Sequence, residues 1–150
     1  MELITYLLLP ILIALVITAQ TASTSSDLIG KASKVIDGDT IIVKPKIGKK
    51  IEVRLDMVDT PEIGQTGYHE ARAFTKELCL GKPVRVDVDD IRDKDHYGRT
   101  LGQVYCQGQL LDRLLIDKGL AEFISTIHCS SSEFQMVSWV IRYCHPELVN

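Results

Sequence analysis

Residues 51–62, Ile51-Glu52-Val53-Arg54-Leu55-Asp56-Met57-Val58-Asp59-Thr60-Pro61-Glu62, decide the fold of this chain. From Ile51 to Met57 apolar and charged residues alternate with period two, the pattern of a strand with one face in a core. Asp59-Thr60-Pro61-Glu62 ends it, because Pro61 cannot continue a central strand. On the N-terminal side, Lys34 to Lys44 reads as two strands around Asp37-Gly38, a strong hairpin signal, with a second break at Pro45 to Lys49. On the C-terminal side, Ala71, Phe74 and Leu78 recur at helical spacing and predict a helix over His69 to Leu80, stopped by Gly81 and Pro83.

Val84 to Val88 alternates again as a strand, Asp93 to Gly98 is a polar turn, Thr100 to Tyr105 is another strand, and Gln107-Gly108 is another turn. A short helix over Leu110 to Lys118 is closed by Gly119, and a last helix is expected from about Ser132 to Tyr143, ended by Pro146. This order of elements predicts an α+β fold, a five-stranded barrel of the OB-fold type with about three helices.

The chain of 150 residues has room for one such domain. Hydrophobic residues at 45% and charged residues at 25% exclude disordered and collagen-like classes. A net charge of −3 excludes a partner held by bulk positive charge, so any polyanion contact must come from a local arrangement of Arg and Lys.

Leu3 to Ala19 is an unbroken apolar run containing Pro10, followed by small polar residues from Thr21 to Ser26. Two readings stay open: residues 1–22 as a cleaved signal peptide, or residues 3–19 as a short membrane anchor. Neither has a preceding Lys or Arg to set orientation. Both place the domain, expected over residues 32–150 after a spacer at 23–31, outside the cytoplasm, secreted or tethered to the outer face of the membrane. Cys79, Cys106, Cys129 and Cys144 agree with export. They allow three connectivities. The preferred one is Cys79–Cys106 with Cys129–Cys144, which staples the C-terminal segment to itself; four buried thiols are the plain alternative.

The charged residues of the central stretch also suggest chemistry. Asp39 and Asp59 stand where a strand meets a turn, and hard cations such as calcium take carboxylate and carbonyl oxygens. Glu62, past Pro61, is a candidate general base. Arg54 and Arg99 offer planar forks that match phosphate oxygens. Each also has a plain reading: Asp37-Gly38 as an ordinary hairpin turn, Arg54 as an exposed strand residue, Asp59-Thr60 as a cap. Asp93 to Gly98 begins like a calcium loop, but Tyr97 and Val104 fall where ligands are required, so it is read as a polar turn. His69, His96, His128 and His145 lack ligand spacing, and Phe134, Trp139 and Val140 are read as packing residues.

Three segments taken together resemble the signature blocks of the staphylococcal nuclease (thermonuclease) family: Val35-Ile36-Asp37-Gly38-Asp39-Thr40, Val53 to Glu62, and Asp95-His96-Tyr97-Gly98-Arg99. The likeness runs in order from Lys34 to Ala121. It implies calcium held by the Asp39 and Asp59 carboxylates and the Thr60 carbonyl. It implies Glu62 acting on the attacking water, Arg54 and Arg99 on the scissile phosphate, and Tyr97 as a nucleotide contact. The implied activity is cleavage of DNA and RNA with low sequence specificity, leaving 3′-phosphate and 5′-hydroxyl ends, by a monomer with no obligate protein partner. The competing reading is a non-catalytic OB-fold module that binds nucleic acid or protein at the cell surface. Such a module would be expected to have lost Glu62 or an arginine, and all are present.

The chain departs from the resemblance in three places. The loop 63–69 is shorter and carries no lysine. Phe123, Ser125 and Ile127 stand where the family often has tyrosines. Asp56 replaces an apolar or small residue, and either pairs with Arg54 or adds negative charge near the metal. Weaker substrate binding with intact chemistry is the expected consequence.

Overall fold

The computed structural model describes residues 27–124 and 129–149. The apolar run 3–19, the whole Ser/Thr-rich stretch 21–26 and positions 125–128, including Ser125, Ile127 and His128, lie outside the described residues. Among the described residues no helix is long and apolar enough to cross a membrane.

The strands are β1 (Asp27–Val35), β2 (Thr40–Pro45), β3 (Ile51–Leu55), β4 (Val58–Asp59), β5 (Pro83–Val88), β6 (Thr100–Cys106), β7 (Gln109–Leu110) and β8 (Glu122–Phe123). The helices are α1 (Tyr68–Cys79), α2 (Leu111–Asp117) and a single turn, α3 (Ile141–Cys144). The main sheet runs β3-β2-β1-β5-β6-β7, and β3 also pairs with β6, closing a five-stranded barrel. Every pair is antiparallel except β3–β6, which is parallel. Closure removes the sheet edges that would otherwise invite pairing with another chain. At the closing seam Arg54 lies opposite Thr40 on one side and Leu101 on the other, so three strands meet at that residue.

The barrel interior is filled by alternating residues such as Ile41, Val43, Val53, Leu55, Val86 and Val104, all fully buried. Each contributes roughly 1.5–3 kcal/mol of apolar transfer free energy. The β6–β7 turn places Gln107 and Gly108 at φ 53° and 78°, the left-handed pair that matches strand twist in a two-residue hairpin. Cys79–Cys106 ties α1 to the end of β6, and Cys129–Cys144 closes the C-terminal segment on itself.

Three expectations change. The sheet begins inside the stretch read as spacer, since Asp27 to Lys31 pair with Asp87 to Pro83; the Ser/Thr-rich composition ends at Ser26 and Leu28-Ile29 suit a strand. The last helix does not form as one piece. A 3-10 turn at Glu133–Met136 gives way to extended backbone at Val137 (φ −69°, ψ 138°) before α3. That break lets Phe134 and the consecutive Trp139 and Val140 all enter the core, which a continuous helix stapled by Cys129–Cys144 would not allow. Finally, the alternation in 51–57 predicts one wet face, yet residues 53–58 are all buried. β3 is bonded on both sides, and the buried charges of Arg54 and of Asp56 just beyond it are each paired, while Glu52 stays exposed.

Candidate active site

The site begins in the β1–β2 turn. Ile36 N–H donates to Thr40 O at 2.9 Å, and the Asp37 carboxylate accepts the Asp39 N–H at 3.2 Å, an Asx-type turn. A Cβ on Gly38 would lie 2.7 Å from the Thr60 side chain, so only glycine lets the turn approach the Asp59-Thr60 segment this closely. Helix α1 holds the turn from behind: Thr75 Oγ1 donates to Gly38 O at 2.6 Å, and Arg72 Nε to Ile36 O at 2.8 Å.

The turn presents Asp39 inward, with 2% of its surface exposed. Its Oδ2 accepts the Thr60 N–H at 2.6 Å and the Thr60 hydroxyl at 2.8 Å; its Oδ1 accepts the Thr40 hydroxyl at 3.1 Å and lies 3.1 Å from Arg54 Nε. Arg54 completes the unit. Its Nη1 donates to Leu55 O and Val58 O, each at 2.6 Å, and its Nη2 to Asp59 Oδ1 at 2.6 Å. Four of the predicted residues (Asp39, Arg54, Asp59 and Thr60) therefore form one hydrogen-bonded cluster. Arg54 is not the exposed strand residue of the plain reading.

Arg99 approaches from the turn before β6. Asp95 organises that turn: its Oδ1 accepts the Tyr97 and Arg99 N–H groups at 2.9 Å each, and its Oδ2 accepts Arg99 Nε at 2.6 Å. Burial works to raise the Asp95 pKa, but the hydrogen bonds and charge of Arg99 outweigh it and hold the carboxyl below its ordinary range. The Arg99 guanidinium sits 5.4 Å from the centroid of the Tyr97 ring, which is 74% exposed. Arg54 and Arg99 line one cavity of about 200 Å³, with Asp56, Arg92, Asp95 and His96 among its other walls. A second cavity of about 500 Å³ is lined by Asp59 and Thr60 together with Pro61, Gln65, Thr66 and Glu122. Glu62 stands exposed between β4 and α1, its N–H bound to Gln65 Oε1 at 2.7 Å. Its carboxylate makes no hydrogen bond or ion pair among the described residues.

Among the described residues no three His, Cys, Asp or Glu side chains converge as a metal cluster. The donor set is smaller: two carboxylates whose Oδ1 atoms both turn to the same positive group, Arg54, at 3.1 and 2.6 Å. Asp37 adds crowding. Burial, then the neighbouring Asp39 carboxylate, pushes its pKa up to about 6. The two carboxylates are hard oxygen donors of the kind calcium takes, and Arg54 is the cation that they face in this structure.

With this geometry the chain was compared with known proteins. The profile described as "Staphylococcal nuclease homologue" matches residues 52–139, more than half of the chain. This chain belongs to the staphylococcal nuclease family. It is 38% identical over 105 residues to a protein named thermonuclease from Staphylococcus hyicus, covering 66% of this chain and 61% of that protein. The thermonuclease of Staphylococcus intermedius is 38% identical over 107 residues, covering 65% and 62%. An uncharacterized endonuclease of Haemophilus influenzae is 32% identical over 107 residues, covering 71% and 58%. The chain spans about three fifths of the length of these relatives. The closed barrel is the OB-fold-type architecture expected of this family.

Sequence reading missed several residues that shape the site. Asp56 is fully buried, and its Oδ1 accepts from Arg92 Nη2 at 2.8 Å, a partner that the sequence reading did not name. The shared strand face with Arg54 is lost because β3 ends at Leu55. Arg72 and Thr75 were read only as part of a helix, although their three-residue spacing already placed both on one face. Asp112, also fully buried, accepts the Val104 N–H at 3.0 Å. Burial, reinforced by Asp56 and opposed by backbone N–H groups and Arg54, pushes its pKa up to about 7. No local signal separated Asp112 from an ordinary helix-start carboxylate.

Proposed function

We propose that this chain is a calcium-dependent nuclease that hydrolyses DNA and RNA with low sequence specificity, leaving 3′-phosphate and 5′-hydroxyl ends. The observation that carries the reading is the pairing of a gathered carboxylate set, Asp39 and Asp59 around Arg54, with a cavity that Arg54 shares with Arg99. Asp39, Asp59 and the Thr60 carbonyl would hold the ion, which when bound acidifies water and absorbs charge on the phosphoryl group.

The chain's own residues do the rest. Arg54 and Arg99 bind the oxygens of the scissile phosphate from two walls of one cavity and offset the charge that develops there. Asp95 fixes the direction of the Arg99 fork before substrate arrives, so little ordering is left to the moment of reaction. Glu62, with an uncommitted carboxylate, orients the attacking water and takes its proton. Tyr97 offers an exposed ring beside Arg99 for a sugar or base. The two disulfides agree with a site of action outside the cytoplasm, secreted or held at the outer membrane face.

The test is incubation of the purified 150-residue chain with plasmid and single-stranded DNA, with calcium and with chelator. Calcium-dependent cleavage to 3′-phosphate ends is expected. Glu62→Gln should lower turnover by roughly 10²–10⁴-fold with the melting temperature unchanged, since its side chain is exposed. Wild-type turnover in that variant would remove Glu62 from the mechanism, and no cleavage by folded wild-type protein would remove the nuclease reading itself.

A further inference from the structure

Six of the 17 Lys and Arg residues of this net-acidic chain lie within residues 31–50. Lys31, Lys34, Lys44, Lys46, Lys49 and Lys50 are all exposed. Four of them fall in the seven-residue run Lys44-Pro45-Lys46-Ile47-Gly48-Lys49-Lys50, which contains no acid. Lys31 and Lys44 are direct partners in the antiparallel β1–β2 register. Like charges directly opposed across two strands are destabilising, so the fold carries a cost here that its own contacts do not offset. Among the described residues none of the six ammonium groups makes an ion pair or hydrogen bond. Five of the seven arginines contrast with them: Arg54, Arg85, Arg92, Arg99 and Arg113 are in ion pairs.

We propose that the lysines of the β2–β3 turn, with Lys31 beside them, form an exosite for the phosphate backbone of a long nucleic-acid strand, apart from the catalytic cluster. This rests on the nuclease reading and adds a second point of grip to it. The turn lies at the far end of the same two strands whose near ends carry Thr40 and Arg54. Five strand steps from Thr40 to Pro45 span about 17 Å. At 3.4 Å per nucleotide step, a strand in the site reaches the lysines after about five nucleotides. A point-charge ammonium on a flexible stem suits sequence-independent contact with phosphate, whereas the carboxylate-held forks of buried Arg54 and half-buried Arg99 suit one fixed phosphate. The exosite supplies positive charge that loop 63–69 lacks. An anionic membrane is the competing occupant, because Ile47 is 91% exposed at the tip of the turn. The charge is favoured as a nucleic-acid grip because it shares a rigid hairpin with the site.

The test replaces Lys44, Lys46, Lys49 and Lys50 with Gln in the full chain and follows cleavage of single strands of about 4 and about 30 nucleotides, below and above the reach set by the strand rise. KM on the long strand should rise at least tenfold, with kcat and all short-strand constants unchanged. The slope of log K for the long strand against log salt should fall by about 3, near 0.7 per lysine lost. Replacing the same lysines with Arg should restore both, which separates charge from folding. Unchanged KM and slope on the long strand would overturn the exosite. So would lysine-dependent binding to phosphatidylserine vesicles with no lysine effect on DNA. Anisotropy of the labelled long strand is read in parallel with chelator present. Lysine-dependent binding by a wild-type chain that cuts nothing would sustain the exosite while removing the nuclease reading.

Discussion

At one end of the β2–β3 hairpin Arg54 is buried and held by two carboxylates and two carbonyls; at the other, four lysines stand in solvent with no partner among the described residues. The two ends are separated by only a few residues of regular strand, yet they treat positive charge in opposite ways. Burial demands that a charge be paired, and pairing fixes its direction. Exposure leaves the charge mobile and screened, able to serve a polyanion in any register. The near end is therefore suited to acting on one phosphate, the far end to holding many. A buried fork also organises its surroundings: removing it would leave the carbonyls of Leu55 and Val58 without its N–H donors and Asp39 without its counter-charge.

Arg54→Lys strikes the buried end hardest. A single ammonium cannot serve Asp39, Asp59 and two carbonyls at once. Turnover on DNA should fall roughly 10³-fold, and thermal unfolding should show a loss of about 3 kcal/mol from the broken buried pair. An unchanged melting temperature would mean the clamp contributes nothing to the fold.

A smaller, pH-dependent effect belongs to buried Asp112, whose charge is felt by the Arg54 end. The folded pKa of Asp112, about 7, lies above its ordinary 3.8, so between those values the folded state binds more protons than the unfolded. Its contribution to stability is thus intact below the lower value and lost as pH rises toward the upper one. Asp112→Asn should stabilise the protein by on the order of 1–3 kcal/mol near pH 8 and by almost nothing near pH 4. Calorimetry at the two pH values checks this, and a gain that is equal at both would show that the burial of Asp112 is not the cause. The smallest effect belongs to the exposed end. Lys49→Gln alone should shift stability by less than about 0.5 kcal/mol in denaturant titration.

Much of this was readable before any coordinates. Alternation from Ile51, the Asp37-Gly38 turn and the stops at Pro61 and Gly119 located β2, β3, α1, β6 and α2 to within a residue or two, because local turn chemistry and periodicity act within a few positions. Two boundaries failed where non-local packing won: Asp27–Lys31 became strand by pairing with β5, and the C-terminal helix broke at Val137 to deliver Trp139 to the core. Asp39, Arg54 and Asp59 were chosen from their types and their places at strand ends and Thr60 from the family resemblance, and the fold brings all four into contact.

By itself the sequence determined which chemistry was on offer: hard carboxylate oxygens, planar cationic forks, an uncommitted Glu62 and a lysine-rich turn. Those properties belong to the side chains and survive any arrangement. Only the tertiary structure decided which charges were consumed. Asp56 went to Arg92 and Arg54 went to Asp39 and Asp59, while the six lysines went to no acid among the described residues, because burial compels a charge to take a partner and solvent does not.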